Sequence, residues 1–307
     1  MTLIERVATE DDVSKILDIA NSNLLSLNPS EIPMGEIEGR EFVRGFFDPA
    51  ITRLTKLHSD DDWQSFITLN PDSSRKRFYL DIYTRPGAET LLPSLDLALE
   101  LARNHDPQYR LWLGTQSNDF AYKSLLENRG FTILRRYWTL EMRLPGQSER
   151  VSESLGVIRK LDLDNEDDLR TFHRVHQDAF SQHFGFMPRH FNEWSELVIR
   201  DKEETNMQAW LISVNGDPAG VVDFNDEQLH NDSGYVAGLG VRQAFQGRGL
   251  GEELLRHAIQ VNSELGRSKL CLSVDAGNES GALRLYEKVG MKPISEWHQY
   301  ENLNWSK

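Results

Sequence analysis

Residues 235 to 265 constrain the fold of this chain more than any other segment. From Tyr235 to Val241, small and apolar residues alternate with the period of a β-strand. Further on, apolar residues recur with the period of a helix, at Leu250, Leu254, Leu255, Ala258, Ile259 and Leu265. Glycines stand at 247, 249 and 251 between these two patterns. The segment therefore predicts a strand, a glycine-rich turn and a helix that begins directly after the turn.

The glycine turn has the chemistry of an anion-binding site. Because every second residue of the turn is a glycine and lacks a side chain, the backbone N–H groups can approach a ligand closely. The helix N-terminus adds unpaired N–H donors and the positive end of the helix dipole. We therefore expect a seat for phosphate or pyrophosphate, with Gln246 and Arg248 as further donors at its rim. A tight turn without a ligand is the alternative interpretation of the same residues.

Two common phosphate motifs do not fit this turn. A P-loop requires Lys followed by Ser or Thr after the last glycine, and Glu252 and Glu253 stand there instead. We expect these two carboxylates to repel a nucleoside triphosphate. A dinucleotide-binding fingerprint requires glycine at position 252, so it is also disfavoured.

The turn resembles the cofactor motif of the GNAT acyltransferase superfamily. Gln246, Gly249 and Gly251 match its spacing, after a strand that ends with Leu239 and Val241. The segment from Asn278 to Met291 resembles the second motif of that family. Two motifs in order imply a GNAT domain that binds acetyl-CoA and transfers its acetyl group.

The resemblance also assigns roles to individual residues. It implies that the pantetheine arm lies along the strand, that the N–H of Leu239 points at the thioester carbonyl, and that Tyr286 protonates the departing thiolate. A packed core aromatic is the alternative for Tyr286, and Asn278 either holds the coenzyme or caps a helix. The implied cofactor-binding residues are Leu239, Gly240, Val241, Gln246, Gly247, Arg248, Gly249, Leu250, Gly251, Asn278 and Tyr286.

The general base is not where family members often carry it. The position of the strand carboxylate is occupied by Tyr235. Asp223, on the preceding strand-like segment 219–224, is the nearest replacement and is expected to act directly or through water. The alternative is a carboxylate at a strand end in solvent.

Two landmarks recur in the chain at nearly the same offset. Residues 10–13 match 166–169, and the stretch from 118 to 131 matches that from 278 to 291. We therefore predict an α/β fold with mixed sheets, made of two tandem GNAT folds. The expected domains are 1–145 and 155–307, joined by the polar Pro/Gly stretch after Pro145.

The first copy is expected to be degenerate. The segment 81–91 carries one glycine, its loop is expected to be four residues shorter, and Leu126 replaces the tyrosine. Pro86 also removes an N–H donor. This departs from the mycothiol synthase family of tandem GNAT proteins, which the chain otherwise resembles in architecture.

The composition of the chain argues against several classes of binding partner. A net charge of −14 opposes binding to nucleic acid and to anionic lipid, and no apolar run is long enough for a membrane span. One cysteine and an N-terminus without a signal-peptide pattern predict a cytoplasmic protein. Acidic residues 162–168 and the histidines at 173, 176 and 183 do not complete a ligand set, so no metal is expected.

The expected function is an acetyl-CoA-dependent N-acetyltransferase that acetylates a small amine by direct attack in a ternary complex. One alternative is a non-catalytic module that binds or senses acyl-CoA. Another is an acetyltransferase of the mycothiol synthase type. The aromatic-rich segment 178–194 is expected to line the acceptor pocket or to pack a core.

Overall fold

The computed structural model describes residues 2–145, 154–277 and 282–306. The chain forms two compact units. The first comprises Met1–Trp138, Asp275–Gly277 and Ile294–Lys307, and the second comprises Thr139–Val274 and Asn278–Pro293.

The first unit is a mixed sheet with two pairs of helices. Its elements are β1 (Leu3–Val7), α1 (Val13–Leu27), α2 (Glu36–Arg44), β2 (Ile51–Leu57), β3 (Ser65–Asp72), β4 (Arg77–Thr84), α3 (Leu91–His105), β5 (Arg110–Gln116), α4 (Phe120–Asn128) and β6 (Thr132–Arg143), whose last residues belong to the second unit. The strand order is β1-β2-β3-β4-β5, and only β4 and β5 are parallel.

The second unit repeats this sequence of elements. They are β7 (Val157–Lys160), α5 (Glu166–Phe180), α6 (Phe191–Thr205), β8 (Gln208–Val214), β9 (Asp217–Asn225), β10 (Ser233–Val241), α7 (Leu250–Glu264), β11 (Lys269–Asp275), α8 (Ala282–Lys288) and β12 (Lys292–Glu301), which belongs to the first unit from Ile294 onward. Its strand order is β7-β8-β9-β10-β11, again with only the last two parallel. The predicted tandem repeat is therefore present as two copies of one fold.

The compact units and the predicted halves divide the chain differently. The first expected domain ends at residue 145 and the second begins at 155, whereas the amino-terminal segment of the first unit ends at Trp138. The carboxy-terminal strand β12 pairs with β5 antiparallel, with Trp297 opposite Gln116. Because backbone pairing decides where a strand packs, most of the last strand of the chain belongs to the first unit.

Each face of the first sheet has its own core. Residues of α1 pack on one face with Phe66 and Tyr83, and residues of α3 and α4 pack on the other face with Ile67 and Leu80. In the second unit, α5 and α6 pack on β8 and β9 around Phe172 and Trp194. No described helix is long and apolar enough to cross a membrane.

The same ion pair joins the first strand to the first helical turn in both units. Arg6 donates to both carboxylate oxygens of Asp12, at 2.7 and 2.6 Å. Arg159 donates to Asp168 in the same way, at 2.9 and 2.6 Å. A backbone N–H also donates to each carboxylate, at 3.0 and 2.8 Å. The repeated acidic sequence therefore fixes the start of the first helix in each copy.

Replacing Asp12 by Asn tests the stabilising role of this ion pair. The arginine holds the pKa of Asp12 down to about 2, below its usual 3.8. The stabilisation is therefore present above the unfolded-state pKa and is lost as the pH falls through about 2. We expect Asp12→Asn to lower the free energy of unfolding by ~1 kcal/mol at neutral pH, with the difference shrinking in acid. Urea titrations across this pH range measure it, with exposed Asp11→Asn as the control; equal losses at every pH would contradict the assignment.

Candidate active site

The glycine turn links β10 to α7 in a backbone conformation that needs glycine. Gly247 and Gly249 have φ angles of +74° and +84°, in the left-handed region that other residues rarely adopt. Residues 242–249 form the connection, and the first turn of α7 follows at Leu250. Leu250 is buried, so its side chain anchors the helix start in the core.

The turn presents a row of free backbone donors. Glu252 and Glu253 both donate their N–H groups to the carbonyl of Gly249, at 3.1 Å. In the described part of the chain, the N–H groups of residues 247–251 donate to no other protein group. Unpaired N–H groups at a helix N-terminus are a binding site for an anion. The residues present therefore fit the diphosphate of a coenzyme.

The two rim side chains are held within the turn itself. The amide of Gln246 donates to the carbonyl of Val241 at 3.0 Å. The guanidinium of Arg248 donates to the carbonyl of Ala244 at 2.9 Å and lies 5.3 Å from the ring centroid of Phe245. Both side chains thus brace the loop in this structure. Their predicted contact with a ligand remains a prediction.

Strand β10 leaves part of its backbone edge unpaired. Parallel pairing with β11 runs from Ser233 to Val236, which lies opposite Leu272, and then stops. On its other edge β10 stays paired with β9 as far as Val241, with an irregularity in register between Val236 and Gly238. The edge of residues 237–241 that faces β11 is therefore free to pair with an extended ligand. We call this separation of the two parallel strands the splay. The family resemblance implied that the pantetheine arm lies along this strand, and the splay leaves an edge with which it can pair.

A cavity of about 360 Å³ joins the free edge, the turn and α8. Most of the predicted cofactor-binding residues line it, namely Leu239, Gly240, Val241, Gln246, Gly247, Gly249, Leu250, Gly251 and Tyr286. Arg248 is not among the lining residues, and Asn278 lies outside the described residues. Ala179 and His183 also line the cavity, and both belong to the segment 178–194 that was expected to line the acceptor pocket or to pack a core. Lys288 lines it too, although sequence reasoning assigned it no part. Only the fold brings these three residues beside the turn.

Tyr286 presents a phenol to this cavity that keeps its proton. The residue is 8% exposed, and burial raises the pKa of its hydroxyl to about 12. Within the described chain the hydroxyl makes no hydrogen bond to the protein. The group can therefore donate a proton or a hydrogen bond to a ligand atom in the cavity.

The acidic residues after the turn are paired. Glu252 accepts from Lys288 at 2.6 Å and from Arg256 at 2.9 Å. Its pKa is lowered, first by Lys288. Glu253 accepts from the backbone N–H of Leu155 at 2.9 Å. The repulsion of phosphate expected from the two carboxylates is thus offset at Glu252 by two neighbouring cations.

Asp223 is deeply buried beside the bulge in β10. It lies opposite Gly238, and its Oδ1 would be 2.3 Å from a Cβ built on that glycine. Gly238 therefore makes the room that the carboxyl occupies. Burial, and then the charge of Asp201, raises the pKa of Asp223 to about 7. Asp223 is not among the residues that line the cavity.

The aromatic segment after α5 divides between a core and the surface. Trp194 is buried against Phe172, with ring centroids 4.9 Å apart, whereas Phe184 is 43% exposed. His176 packs on Trp194, and burial lowers its pKa to about 4, so its imidazole is neutral at physiological pH. Of this segment, Ala179 and His183 reach the cavity.

The first unit keeps the splay and lacks the turn. Pairing of β4 with β5 ends at Leu80 opposite Leu113. The connection to α3 has six residues, 85–90, against eight in the second unit, so it is two residues shorter and the expected difference of four was wrong. The sequence comparison used mismatched end points. It ran to Leu91, the first residue of α3, but to Leu254, which lies inside α7. At the start of α3, buried Thr90 and Ser94 bond to hydroxyl groups of β3 and β2.

Comparison with known proteins agrees with this architecture. Residues 169–291 match the sequence model of the Acetyltransferase (GNAT) family, so the chain contains a domain of that family. A mycothiol acetyltransferase of Propionibacterium freudenreichii is 28% identical over 166 residues, which are 51% of this chain and 50% of that protein. The matched region thus spans about half the length of that relative.

Two solved structures share the whole fold. A GCN5-related N-acetyltransferase of Sphaerobacter thermophilus superposes with a TM-score of 0.78 at 17% identity, covering 98% of this chain and 95% of its own. A tandem GNAT protein from the clavulanic acid biosynthesis pathway gives 0.72 at 12% identity, covering 98% of both chains. The chain therefore consists of two tandem GNAT folds, as predicted.

Substituting Gly251 tests the anion seat without straining the backbone. A Cβ at this helical position would lie 3.5 Å from Leu285, an ordinary contact, so Gly251→Asp adds a carboxylate at the cavity wall. We expect acetyl-CoA to bind at least about tenfold more weakly, because like charges are brought together. Calorimetry measures the affinity. Gln260→Glu, with the same change of charge elsewhere on α7, is the control, and equal affinity in both variants would make the turn purely structural.

Proposed function

We propose that this protein is an acetyl-CoA-dependent N-acetyltransferase that acetylates a small amine by direct attack in a ternary complex. One observation carries the proposal: one cavity is bordered by four turn residues whose backbone N–H groups bond to nothing in the described chain, by an unpaired strand edge and by a buried phenol. The family match of residues 169–291 supports acyl transfer as the class of reaction.

Each part of the cavity has a separate task in this proposal. The N–H groups of residues 247–251 hold the diphosphate, and the free edge of β10 holds the pantetheine arm by backbone hydrogen bonds. When bound, acetyl-CoA supplies the acetyl group as a thioester. The backbone N–H of Leu239 stabilises negative charge on the carbonyl oxygen. Tyr286 gives its proton to the sulfur that leaves.

Asp223 takes the proton of the attacking amine in this scheme. A base acts best when its pKa is close to the working pH, and burial raises the pKa of Asp223 to about 7. Because Asp223 is not among the residues that line the cavity, the scheme requires an intervening water molecule to relay the proton. Neighbouring Asp201 has a positioning role, since its charge helps to raise the pKa of Asp223.

The acceptor is proposed as a small primary amine. The similarity to a relative named mycothiol acetyltransferase favours one particular case, an acetyltransferase of the mycothiol synthase type. The remote position of Asp223 is the observation that favours the rival function, a non-catalytic acyl-CoA-binding module. Release of free thiol from acetyl-CoA with a panel of amines separates the two, because a binding module releases none above background.

Removing the hydroxyl of Tyr286 tests the proton donor. Tyr286→Phe keeps the packing of a residue that is 8% exposed, so the melting temperature should change little. Turnover should fall by ~10²–10⁴, the usual contribution of general acid catalysis, with little change in acetyl-CoA affinity. Steady-state kinetics at saturating acetyl-CoA measure it. A variant with full turnover would make Tyr286 a packing residue only.

The base is tested by the pH profile of kcat/KM. Wild type should lose activity below about pH 7 as Asp223 is protonated, and Asp223→Asn should lose most activity at neutrality and regain part of it in alkali. The same variant should be more stable than wild type above pH 7. A raised carboxyl pKa makes the folded state less stable as the pH rises from the unfolded pKa to the folded one.

The matched control is Asp201→Asn, which removes the neighbouring charge and keeps the base. Its acidic limb should move to lower pH, because the pKa of Asp223 falls. If Asp223→Asn leaves the profile unchanged, Asp223 has no part in the reaction.

A further inference from the structure

Two cationic side chains of α8 line the cavity together with the glycine turn. Arg284 and Lys288 are four residues apart, so they lie on one face of this helix. Leu285 of the same helix would be 3.5 Å from a Cβ built on Gly251. Helix α8 therefore packs beside the first turn of α7, and its two cations border the same space as the free N–H groups.

An ion pair holds Lys288 at the first turn of α7. Its Nζ atom lies 2.6 Å from Oε2 of Glu252, the residue directly after the free N–H groups of residues 247–251. The side chain of Lys288 is nevertheless 65% exposed, against 23% for that of Glu252. The ammonium group thus stands at the rim of the cavity, where a ligand can reach it.

Glu252 has a second cationic partner that does not line the cavity. Arg256, one turn further along α7, donates to Oε1 of Glu252 from Nε at 3.0 Å and from Nη2 at 2.9 Å. If Lys288 turns towards an anion, Glu252 keeps Arg256 on its other oxygen. A ligand can therefore recruit Lys288 by breaking one exposed ion pair, which stabilises the fold only weakly.

The cavity lining carries a surplus of positive charge. Arg284 pairs with no carboxylate among the described residues. Glu252 is the only acidic side chain among the described residues that line the cavity, against the two cations of α8. The chain as a whole has a net charge of −14. The positive lining is therefore a local feature, which the composition of the chain does not predict.

This surplus matches a phosphate group beyond the diphosphate. Coenzyme A carries a phosphate monoester on its ribose, and such a group has about two negative charges near neutral pH. The backbone N–H groups of residues 247–251 are the proposed partners of the diphosphate, so the cations of α8 are left for the monoester. An arginine fork fits phosphate oxygens, and a lysine adds a compact charge.

We propose that Arg284 and Lys288 bind the phosphate monoester of the coenzyme, so that the cavity selects acetyl-CoA over acetyl-dephospho-CoA, which lacks this group. The inference rests on the proposed function, because it takes acetyl-CoA as the ligand of the cavity. Both side chains determine which coenzyme binds and take no part in the acyl transfer itself.

Calorimetric titrations with acetyl-CoA and with acetyl-dephospho-CoA, without any amine, test this selection. Wild type should bind acetyl-CoA about tenfold more tightly, and the preference should shrink at high salt because exposed charges are screened. Lys288→Met and Arg284→Gln should each weaken acetyl-CoA binding by about three- to fivefold and leave acetyl-dephospho-CoA binding unchanged. The double variant should bind both coenzymes equally.

The matched control is Lys292→Met. Lys292 is an exposed cation of the same unit that follows α8 and does not line the cavity. This variant changes the net charge as Lys288→Met does, and it should keep the full preference for acetyl-CoA. Because no amine is present, recognition of a phosphate on the acceptor cannot produce the result.

Two results would overturn the inference. Equal affinity of wild type for the two coenzymes would show that the monoester is not recognised. Equal losses for both coenzymes in Lys288→Met and Arg284→Gln would assign the cations to the diphosphate. Neither result contradicts a transferase that releases thiol with an amine. Conversely, a wild type that selects acetyl-CoA but acetylates no amine would contradict the transferase and retain the selection.

Discussion

The proposed ligand site of the second unit depends on the point at which β10 and β11 stop pairing. After Val236 the inner edge of β10 pairs with no strand in the described part of the chain, and unpaired backbone groups need a partner from elsewhere. The turn that follows adds the free N–H groups of residues 247–251, held in place by two glycines in the left-handed region. Donors and acceptors are thus fixed in position before a ligand arrives, which limits the entropy lost on binding.

The two units show how one fold supports different sites. Both end their parallel pairing after four residue pairs, so both open at the same place. In the second unit, glycines without side chains stand at the start of α7. In the first unit, the start of α3 carries a network of buried hydroxyl groups that includes Thr90 and Ser94. The frame is therefore common, and the loop chemistry decides which ligand the opening accepts.

Local sequence patterns predicted the secondary-structure elements well. They did not predict which strands that are far apart in sequence pair with each other. The glycine turn, the helix of Tyr286 and the repeated acidic helix start are encoded within a few residues each. The register of β12 on β5 is not, because strand partners far apart in sequence leave no local signal. The loop comparison was wrong because it took Leu254, a residue inside α7, as the counterpart of Leu91 at the start of α3. Strand parity did not reveal that Asp223 faces Gly238.

The central claim is that acetyl-CoA binds at the second unit and not at the first. Hydrogen–deuterium exchange tests it directly, because the proposed ligand contacts are backbone N–H groups. Addition of acetyl-CoA should slow exchange in peptides covering residues 237–251 and leave those covering 81–91 unchanged. Equal protection of both segments, or protection of 81–91 alone, would contradict the account.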